Sequence, residues 1–376
     1  EIGHQYSMKQ DVIVIGAGII GLATAERLLI QGAKVTILER NKVGQESSWA
    51  GGGILSPLCP WDYSDAVTRL TSYSASQFPA WASVLRETTG VDPEYETCGM
   101  LVLPPYNRGL AQQWCSIREI QLEQRIFPGR ISSVCNNETD TCAECEQAIF
   151  LPETAQIRNP RLLHALRHRI AQLGGRIIEN CTVKSLNAVD QKIQSITSSQ
   201  GDFEADYIII SAGAWSKEIL GMYALKLDIK PIRGQMLLFK FDHTPPIHTI
   251  FVENDLYIIP RRDGHLLIGS TLEDVGFDKQ TTVSAREHLL IRAQAILPAL
   301  QAMPIAQHWS GLRPASPDNI PTIGKHPMIS NLYINSGHFR YGVTMAPASA
   351  EILVNEITGK PQPFDITPYQ TGWNIS

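Results

Sequence analysis

The chain has 376 residues, of which 43% are hydrophobic and 18% charged, so it is long enough for two domains with a large buried core. Its formal net charge of −5 provides no basic surface for nucleic acid or anionic lipid. No uninterrupted apolar run approaches the ~18–20 residues that span a bilayer. Residues 1–7 precede Met8 without the pattern of a secretory signal, so we expect a cloning remnant there and a cytoplasmic protein.

Apolar periodicity predicts a β–α–β unit at the start of the chain. Asp11–Ile15 is a continuous apolar strand, Ile19–Ile30 a helix and Lys34–Leu38 a second strand. A third parallel strand is expected much later, at Tyr207–Ile210. Further helices are expected at 68–89 and 160–173. This order is typical of a Rossmann-type α/β domain.

Short alternating strands separated by turns, at about 95–104 and 230–272, predict a second, mainly antiparallel β domain. Its clearest strands are Met236–Phe241, Leu256–Pro260 and Leu266–Ser270, with a hairpin turn at Arg262-Asp263-Gly264. The chain is therefore expected to weave between two domains. The first takes residues 8–90, 150–222 and 309–360, and the second takes 91–149 and 223–308.

A glycine-rich turn joins the first strand to the first helix. Gly16 permits the tight turn, Gly18 lets a pyrophosphate approach the backbone, and Gly21 lets helix and strand pack closely. The helix start offers free N–H groups to phosphates, and Glu39 can accept hydrogen bonds from ribose hydroxyls. A bound dinucleotide is predicted, and this motif alone leaves NAD and FAD open. The predicted contacts are Gly16, Ala17, Gly18, Ile19, Ile20, Gly21 and Glu39.

Seven cysteines are scattered along the chain, as expected for free or packed thiols in a reducing compartment. Cys142-x-x-Cys145 has the spacing of a zinc or redox pair, but no second pair or nearby histidine completes a site. We predict no metal site.

Further sequence blocks occur in the order typical of one flavoprotein family. They are ESSWAGGG (46–53), SAGAWS (211–216), GLRP (311–314), PTIG (321–324) and GHFRYGVT (337–344). With them, the chain from Met8 to about Lys360 resembles the FAD-dependent D-amino acid oxidase superfamily, and within it the bacterial glycine oxidases. The resemblance implies FAD as the cofactor, and a Rossmann-type FAD-binding domain joined to an antiparallel β substrate domain.

The small residues of these blocks allow backbone to lie against a flat ring. A helix beginning after Gly342, with Pro347 in its first turn, would direct its N–H groups at the flavin and stabilise the charge of the reduced ring. Relatives with covalent flavin carry a cysteine where this chain has Gly311, so FAD is expected to be non-covalent. The resemblance implies FAD contacts at Arg40, Ser47, Ser48, Ala50, Gly51, Gly52, Val183, Ala212, Gly213, Trp215, Gly311, His338, Phe339, Arg340, Tyr341, Gly342, Val343 and Thr344.

An amino-acid substrate needs a partner for its carboxylate, and Arg313 in the GLRP block resembles the family arginine with this role. A planar guanidinium binds a carboxylate through two parallel hydrogen bonds. Arg340, Tyr257 and Gly51 match further family positions near the substrate. Neither a catalytic acid nor a catalytic base is predicted.

The implied reaction removes a hydride from the substrate Cα, giving an imine that hydrolyses to a keto acid or glyoxylate, while oxygen becomes hydrogen peroxide. Glycine, sarcosine and small D-amino acids stay open as substrates. The resemblance also implies a link to thiamine thiazole synthesis and a homotetramer. The alternatives are a quinone-linked D-amino acid dehydrogenase, a tRNA-modifying flavin oxidase, and a non-catalytic dinucleotide-binding module.

Overall fold

The computed structural model describes residues 7–127, 147–242 and 245–373 of the chain, so Cys142 and Cys145 lie outside the described residues. The strands are β1 (Asp11–Ile15), β2 (Lys34–Leu38), β3 (Glu96–Thr97), β4 (Met100–Val102), β5 (Glu123–Ile126), β6 (Gln147–Leu151), β7 (Ala155–Gln156), β8 (Arg176–Ile178), β9 (Val183–Val189), β10 (Lys192–Ser198), β11 (Gly201–Phe203), β12 (Tyr207–Ile210), β13 (Lys230–Lys240), β14 (Ile250–Glu253), β15 (Leu256–Pro260), β16 (His265–Gly269), β17 (Gln307–Ala315), β18 (Thr322–Lys325) and β19 (Leu332–Ser336). The α-helices are α1 (Ile19–Ile30), α2 (Ser47–Ala50), α3 (Asp65–Thr89), α4 (Arg108–Ile117), α5 (Asn159–Gln172), α6 (Ser216–Leu220), α7 (Val283–Ile296) and α8 (Gly342–Thr358).

The first sheet has the strand order β18-β19-β12-β1-β2-β8. β1 pairs in parallel with β2 and with β12, and β12 pairs in parallel with β19. The central strands are continuous apolar runs because both faces are covered. Helices α1, α3, α5 and α8 share one buried core with this sheet. The predicted β–α–β start and the parallel strand at Tyr207–Ile210 are confirmed with the predicted bounds.

The second sheet has the order β17-β13-β16-β15-β14-β4-β6-β5. Its pairs are antiparallel except for β14 with β4, and the Arg262-Asp263-Gly264 turn joins β15 to β16. The α/β fold with a mainly antiparallel second unit is therefore as predicted. β17, at Gln307–Ala315, belongs to this sheet, although the predicted first domain resumes at 309. The domain boundaries stay a prediction.

Two helices show how local sequence sets their ends. The Ser64 side chain accepts a hydrogen bond from the Val67 amide at the start of α3, and Gly90 ends that helix in the left-handed region at φ 73°. α8 ends in the same way at Gly359, with φ 75°. Pro347 lies in the second turn of α8, which corrects the predicted first-turn position, because the helix already begins at Gly342.

No helix among the described residues is long and apolar enough to cross a membrane. The part of the chain that the structure describes also contains no group of three or more His, Cys, Asp or Glu side chains that would hold a metal ion.

Candidate active site

A long cleft opens at the carboxyl ends of the parallel strands β1, β2 and β12 and extends to the face of the second sheet. This edge of a parallel sheet is where α/β proteins bind ligands. Most of the predicted residues line the cleft: Gly16, Gly18, Ile19, Ile20, Glu39, Arg40, Ser47, Ser48, Gly51, Gly52, Val183, Ala212, Gly213, Trp215, Tyr257, Arg313, His338, Phe339, Arg340, Tyr341, Gly342, Val343 and Thr344.

The glycine-rich turn lies at one end of the cleft. Gly16 has φ 110°, and a Cβ atom there would lie 2.2 Å from the carbonyl oxygen of Ser211, so only glycine fits. A Cβ atom at Gly21 would lie 1.9 Å from the Gly16 carbonyl oxygen, which shows how closely α1 packs on the turn. The Ile19 amide at the start of α1 donates to Ser48 Oγ at 2.9 Å. Gly18, Ile19 and Ile20 all line the cleft, so the start of α1 lies where a helix N-terminus can bind an anion.

Glu39 follows β2 directly and faces the same end of the cleft. Its Oε2 accepts from the Ala17 amide at 2.8 Å, and its Oε1 accepts from the Asn41 amide at 3.0 Å. A carboxylate offers about four lone-pair positions, so both oxygens retain capacity for ligand hydroxyls. Beside it, the Arg40 guanidinium lies 4.0 Å above the centre of the Trp215 ring.

Three buried polar atoms of the cleft lining have no hydrogen-bond partner in the described part of the protein. They are Ser211 Oγ, Asn159 Oδ1 and Asn335 Oδ1. Unsatisfied buried groups cost about 1–3 kcal/mol each unless a ligand or water completes them. Together with the glycine-rich turn and Glu39, these atoms fit a polar cofactor that extends along the cleft, such as FAD.

The start of α8 forms another part of the wall. Gly342, Val343 and Thr344 line the cleft, and Thr344 Oγ1 donates to the Ile54 carbonyl oxygen at 2.9 Å. His338 precedes this helix, and its Nε2 shares a hydrogen bond of 2.9 Å with Ser349 Oγ. Burial lowers the pKa of His338 to about 3, so its ring is neutral and acts as a packing group of α8.

Arg313 lies on β17 at the second-sheet end of the cleft. Its Nη2 donates to Ser270 Oγ at 2.5 Å and its Nη1 donates to the Thr271 carbonyl oxygen at 3.2 Å. Burial lowers the pKa of Arg313, but a guanidinium remains protonated at neutral pH. Tyr257 also lines this end, and its hydroxyl donates to Met236 Sδ at 3.4 Å.

Arg340 and Tyr341 enter this part of the cleft from the segment before α8. The Arg340 amide donates to Asn319 Oδ1 at 3.2 Å, which fixes the backbone there. The Tyr341 hydroxyl donates to that of Tyr63, and the two rings meet edge to face with centroids 5.1 Å apart. Among the described residues, neither Arg313 nor Arg340 has a carboxylate within 4.0 Å. The charge of both guanidinium groups is left unpaired beside the cleft.

Four predicted contact residues do not line the cleft and have other roles in its wall. The Ala17 amide binds Glu39, and Gly21 packs on Gly16. Ala50 and Gly311 pack on each other, since a Cβ atom at Gly311 would lie 2.7 Å from Ala50 Cβ. These residues shape the wall of the cleft through backbone contacts. The family resemblance could not distinguish such contacts from direct contact with a ligand.

The sequence interpretation missed several cleft residues, among them Asn159, Asn335, Ser211 and Ser270. Ser211 directly follows β12 and Asn335 lies near the end of β19. Both could have been found from the rule that ligands bind at the carboxyl ends of parallel strands. Asn159 begins α5, and nothing in its local sequence indicates that its side chain reaches the Ser48 carbonyl oxygen.

This fold and cleft define a dinucleotide-binding enzyme with a Rossmann-type sheet and a large, mainly antiparallel sheet, in which the ligand cleft ends at arginines without an acidic partner among the described residues. The chain matches the family model of the FAD dependent oxidoreductases, DAO, over residues 11–356 and belongs to that family. FAD is therefore its cofactor.

Individual relatives agree with this assignment. The chain is 39% identical to the glycine oxidase of Pseudomonas aeruginosa over 96% of this chain and 98% of that protein. It is 31% identical to the bifunctional protein ThiO/ThiG of Trichormus variabilis, covering 93% of this chain and 53% of that protein. Among solved structures, the glycine oxidase from Bacillus cereus has a TM-score of 0.84 at 27% identity and covers 94% of this chain and 96% of that one.

Proposed function

We propose that this protein is an FAD-dependent oxidase of glycine and other small amino acids, with Arg313 as the carboxylate-binding residue. The observation that carries the proposal is the Arg313 guanidinium, which faces the cleft without an acidic partner within 4.0 Å among the described residues. A substrate carboxylate would supply the missing charge through two parallel hydrogen bonds. The glycine oxidases among its relatives support glycine as the first substrate to test.

The side chains at this end of the cleft bind and orient the substrate. Arg313 would hold the carboxylate, with Arg340 as a second cation and Tyr257 and Gly51 as neighbouring walls. When bound, FAD would supply hydride acceptance and electron transfer to oxygen. His338 is turned into α8 and does not serve as a base. The substrate amine therefore loses its proton to water before reaction, and the fixed geometry supplies the rate enhancement.

We also propose that the other predicted cofactor-binding residues contact FAD. The unpaired oxygens of Ser211, Asn159 and Asn335 support adding those residues to the cofactor site. The link to thiamine thiazole synthesis rests on family resemblance, and the ThiO/ThiG relative is consistent with it. The cytoplasmic location and the homotetramer stay predictions.

Anaerobic mixing with glycine, sarcosine, D-alanine and D-proline tests the reaction. We expect glycine to bleach the flavin absorbance, and admitted oxygen alone to restore it with formation of hydrogen peroxide. Reduced flavin that oxygen does not reoxidise would instead support the quinone-linked dehydrogenase. A flavin that none of these substrates reduces would overturn small amino acids as substrates and favour a larger amine, as in a tRNA-modifying oxidase.

Replacing Arg313 tests the carboxylate site directly. We expect Arg313→Ala to raise KM for glycine by roughly 100-fold or more, because a charge-assisted pair at a desolvated site is lost. Arg86→Ala, which removes an exposed arginine from the last turn of α3, is the control and should leave KM unchanged. An unchanged KM in Arg313→Ala would remove this residue from the proposed role.

A further inference from the structure

We propose that the β13 segment Pro231–Met236 positions the Arg313 guanidinium: Gly234 leaves the space that it occupies, and Arg233 and Gln235 hold the loop whose oxygens it binds. The inference rests on the proposed function of Arg313. It assigns a role to Arg233, Gly234 and Gln235, none of which lines the cleft.

Gly234 forms the surface on which the guanidinium lies. β13 and β17 pair so that Gly234 faces Gly311 and Ile232 faces Arg313. A Cβ atom at Gly234 would lie 2.0 Å from Arg313 Nη1, and 2.4 Å from both its Cζ and its Nη2. Even a methyl group at Gly234 is therefore incompatible with the observed position of the guanidinium.

The loop after β16 provides two hydrogen-bond acceptors for the guanidinium. These are Ser270 Oγ, at 2.5 Å from Nη2, and the Thr271 carbonyl oxygen, at 3.2 Å from Nη1. Both acceptors are uncharged, so they orient Arg313 while leaving its positive charge for a ligand. The position of the guanidinium consequently depends on the position of this short loop.

β13 holds that loop through its backbone and through two buried side chains. The amides of Arg233 and Glu273 each donate to the other residue's carbonyl oxygen, at 2.8 and 2.9 Å. The Arg233 guanidinium, only 3% exposed, binds both carboxylate oxygens of Glu273, at 2.9 and 3.2 Å. The backbone amide of Gln235 donates to Thr271 Oγ1 at 2.9 Å, and its side-chain Nε2 donates to Glu273 Oε2 at 2.8 Å.

This arrangement is better suited to fixing geometry than to adding stability. A buried ion pair adds little net stability, because the loss of hydration offsets the attraction between the charges. Functional side chains need neighbours that lock their orientation to within about 0.5 Å. Thr271, the residue after Ser270, is bonded both to Gln235 and to Arg313. Arg233, Glu273 and Gln235 therefore hold Thr271 in place and, through it, orient the Arg313 guanidinium.

Gly234→Ala tests the inference because the atoms that must yield belong to the flexible end of the Arg313 side chain. We expect the FAD-loaded variant to fold with a melting temperature near that of the wild type. Its affinity for acetate, measured by perturbation of flavin absorbance, should fall by roughly 10–100-fold. KM for glycine should rise with a smaller change in kcat. Gly109→Ala is the control, since a Cβ atom there would be 3.6 Å from its nearest neighbour, Asn107 Oδ1.

Two further variants make the result decisive. In an Arg313→Ala background, Gly234→Ala should cause no additional loss of acetate binding, whereas an additive loss would overturn the inference. If Arg313→Ala alone leaves acetate binding unchanged, the proposed function of Arg313 fails. If Arg313→Ala weakens binding and Gly234→Ala does not, only the positioning role fails.

Should Gly234→Ala fail to fold, Glu273→Gln decides in its place. This variant keeps the size of the side chain and removes one of the two carboxylate charges that Arg233 binds, while Asp278, whose Oδ2 lies 3.1 Å from Arg233 Nη1, stays in place. We expect weaker acetate binding with FAD still bound, and again no further effect in the Arg313→Ala background. Acetate affinity equal to the wild type in Glu273→Gln would contradict the positioning role.

Discussion

His338 illustrates at the residue scale how burial decides what a titratable side chain does. It lies shortly before α8, whose first residues line the cleft. Its ring, however, is 2% exposed and bonded to Ser349, and burial lowers its pKa to about 3. Both features belong to a neutral histidine that packs against α8.

The buried histidine makes the folded protein less stable as pH falls. Its folded-state pKa is below the unfolded value of about 6.5, so its contribution is complete above that pH and falls by about 1.4 kcal/mol per unit below it. Urea unfolding at about pH 7 and about pH 5.5 should show a weaker pH dependence in His338→Gln than in the wild type. His308 and His326, whose pKa values burial also lowers, titrate in both proteins. Identical pH dependence in the two proteins would show that His338 is accessible to protons.

At the scale of elements, β15 ties the second sheet to the segment beside the cofactor cleft. Arg261 follows β15 and is 7% exposed. Its Nη2 donates to the Gly52 carbonyl oxygen at 2.8 Å, and its Nη1 donates to Gln156 Oε1 at 2.6 Å and to the Ile157 carbonyl oxygen at 3.2 Å. Burial lowers the pKa of Arg261 to about 10. A planar, forked donor is needed to reach these acceptors together.

Arg261→Lys should therefore weaken FAD binding by roughly tenfold, because a point-like ammonium leaves at least one buried acceptor unsatisfied. Titration of the apoprotein with FAD, followed by flavin fluorescence, measures the change. The neighbouring Arg262 is half exposed and binds Asp92 at 3.1 Å, so Arg262→Lys is a matched control that should bind FAD normally. Equal FAD affinity in the two variants would show that the Gly52 carbonyl does not depend on Arg261.

The individual strands and helices also show how much of the fold could be predicted from the sequence. β1, α1 and β2 were predicted with their observed bounds because continuous apolar runs and regularly spaced glycines coincide there. Alternation of polar and apolar residues predicted β13 only from Met236, although the strand begins at Lys230 and residues 231–236 resemble a family strand. Its earlier residues include Arg233 and Gln235, and buried polar side chains do not indicate a strand until their tertiary partners are known. The proposed carboxylate role of Arg313 came from family resemblance, whereas the space that Gly234 leaves for its guanidinium depends on how the strands pack and could not be predicted from the sequence.

Across the whole molecule, the cleft is assembled from segments of both sheets and from positions between Ile15 and Thr344. Any ligand that fills it therefore joins parts of the chain that are far apart in sequence. Gly311 packs on Ala50 and does not line the cleft, so the position that carries a cysteine in covalent relatives offers no attachment point here.

We accordingly expect FAD to be bound without a covalent bond and to stabilise the entire fold. Acid precipitation should release all the flavin into the supernatant and leave a colourless pellet. Adding FAD to the apoprotein at about 100 times its Kd should stabilise the native state by about 2.7 kcal/mol and raise Tm. NAD, which lacks the isoalloxazine ring, is the control. Flavin fluorescence that stays with the denatured protein would contradict non-covalent binding.

The strand order of the first sheet also determines when the protein can fold during synthesis. β1 is made almost at once, but its neighbour β12 begins at Tyr207, and β19, beside β12, begins at Leu332. At about 5–20 residues per second, the chain between β1 and β12 takes roughly 10–40 s to emerge. During that interval one edge of an apolar strand has no native partner and can pair with other chains. The position of β1 at the centre of the sheet thus leaves nascent chains of this protein open to wrong pairing until β12 has been made.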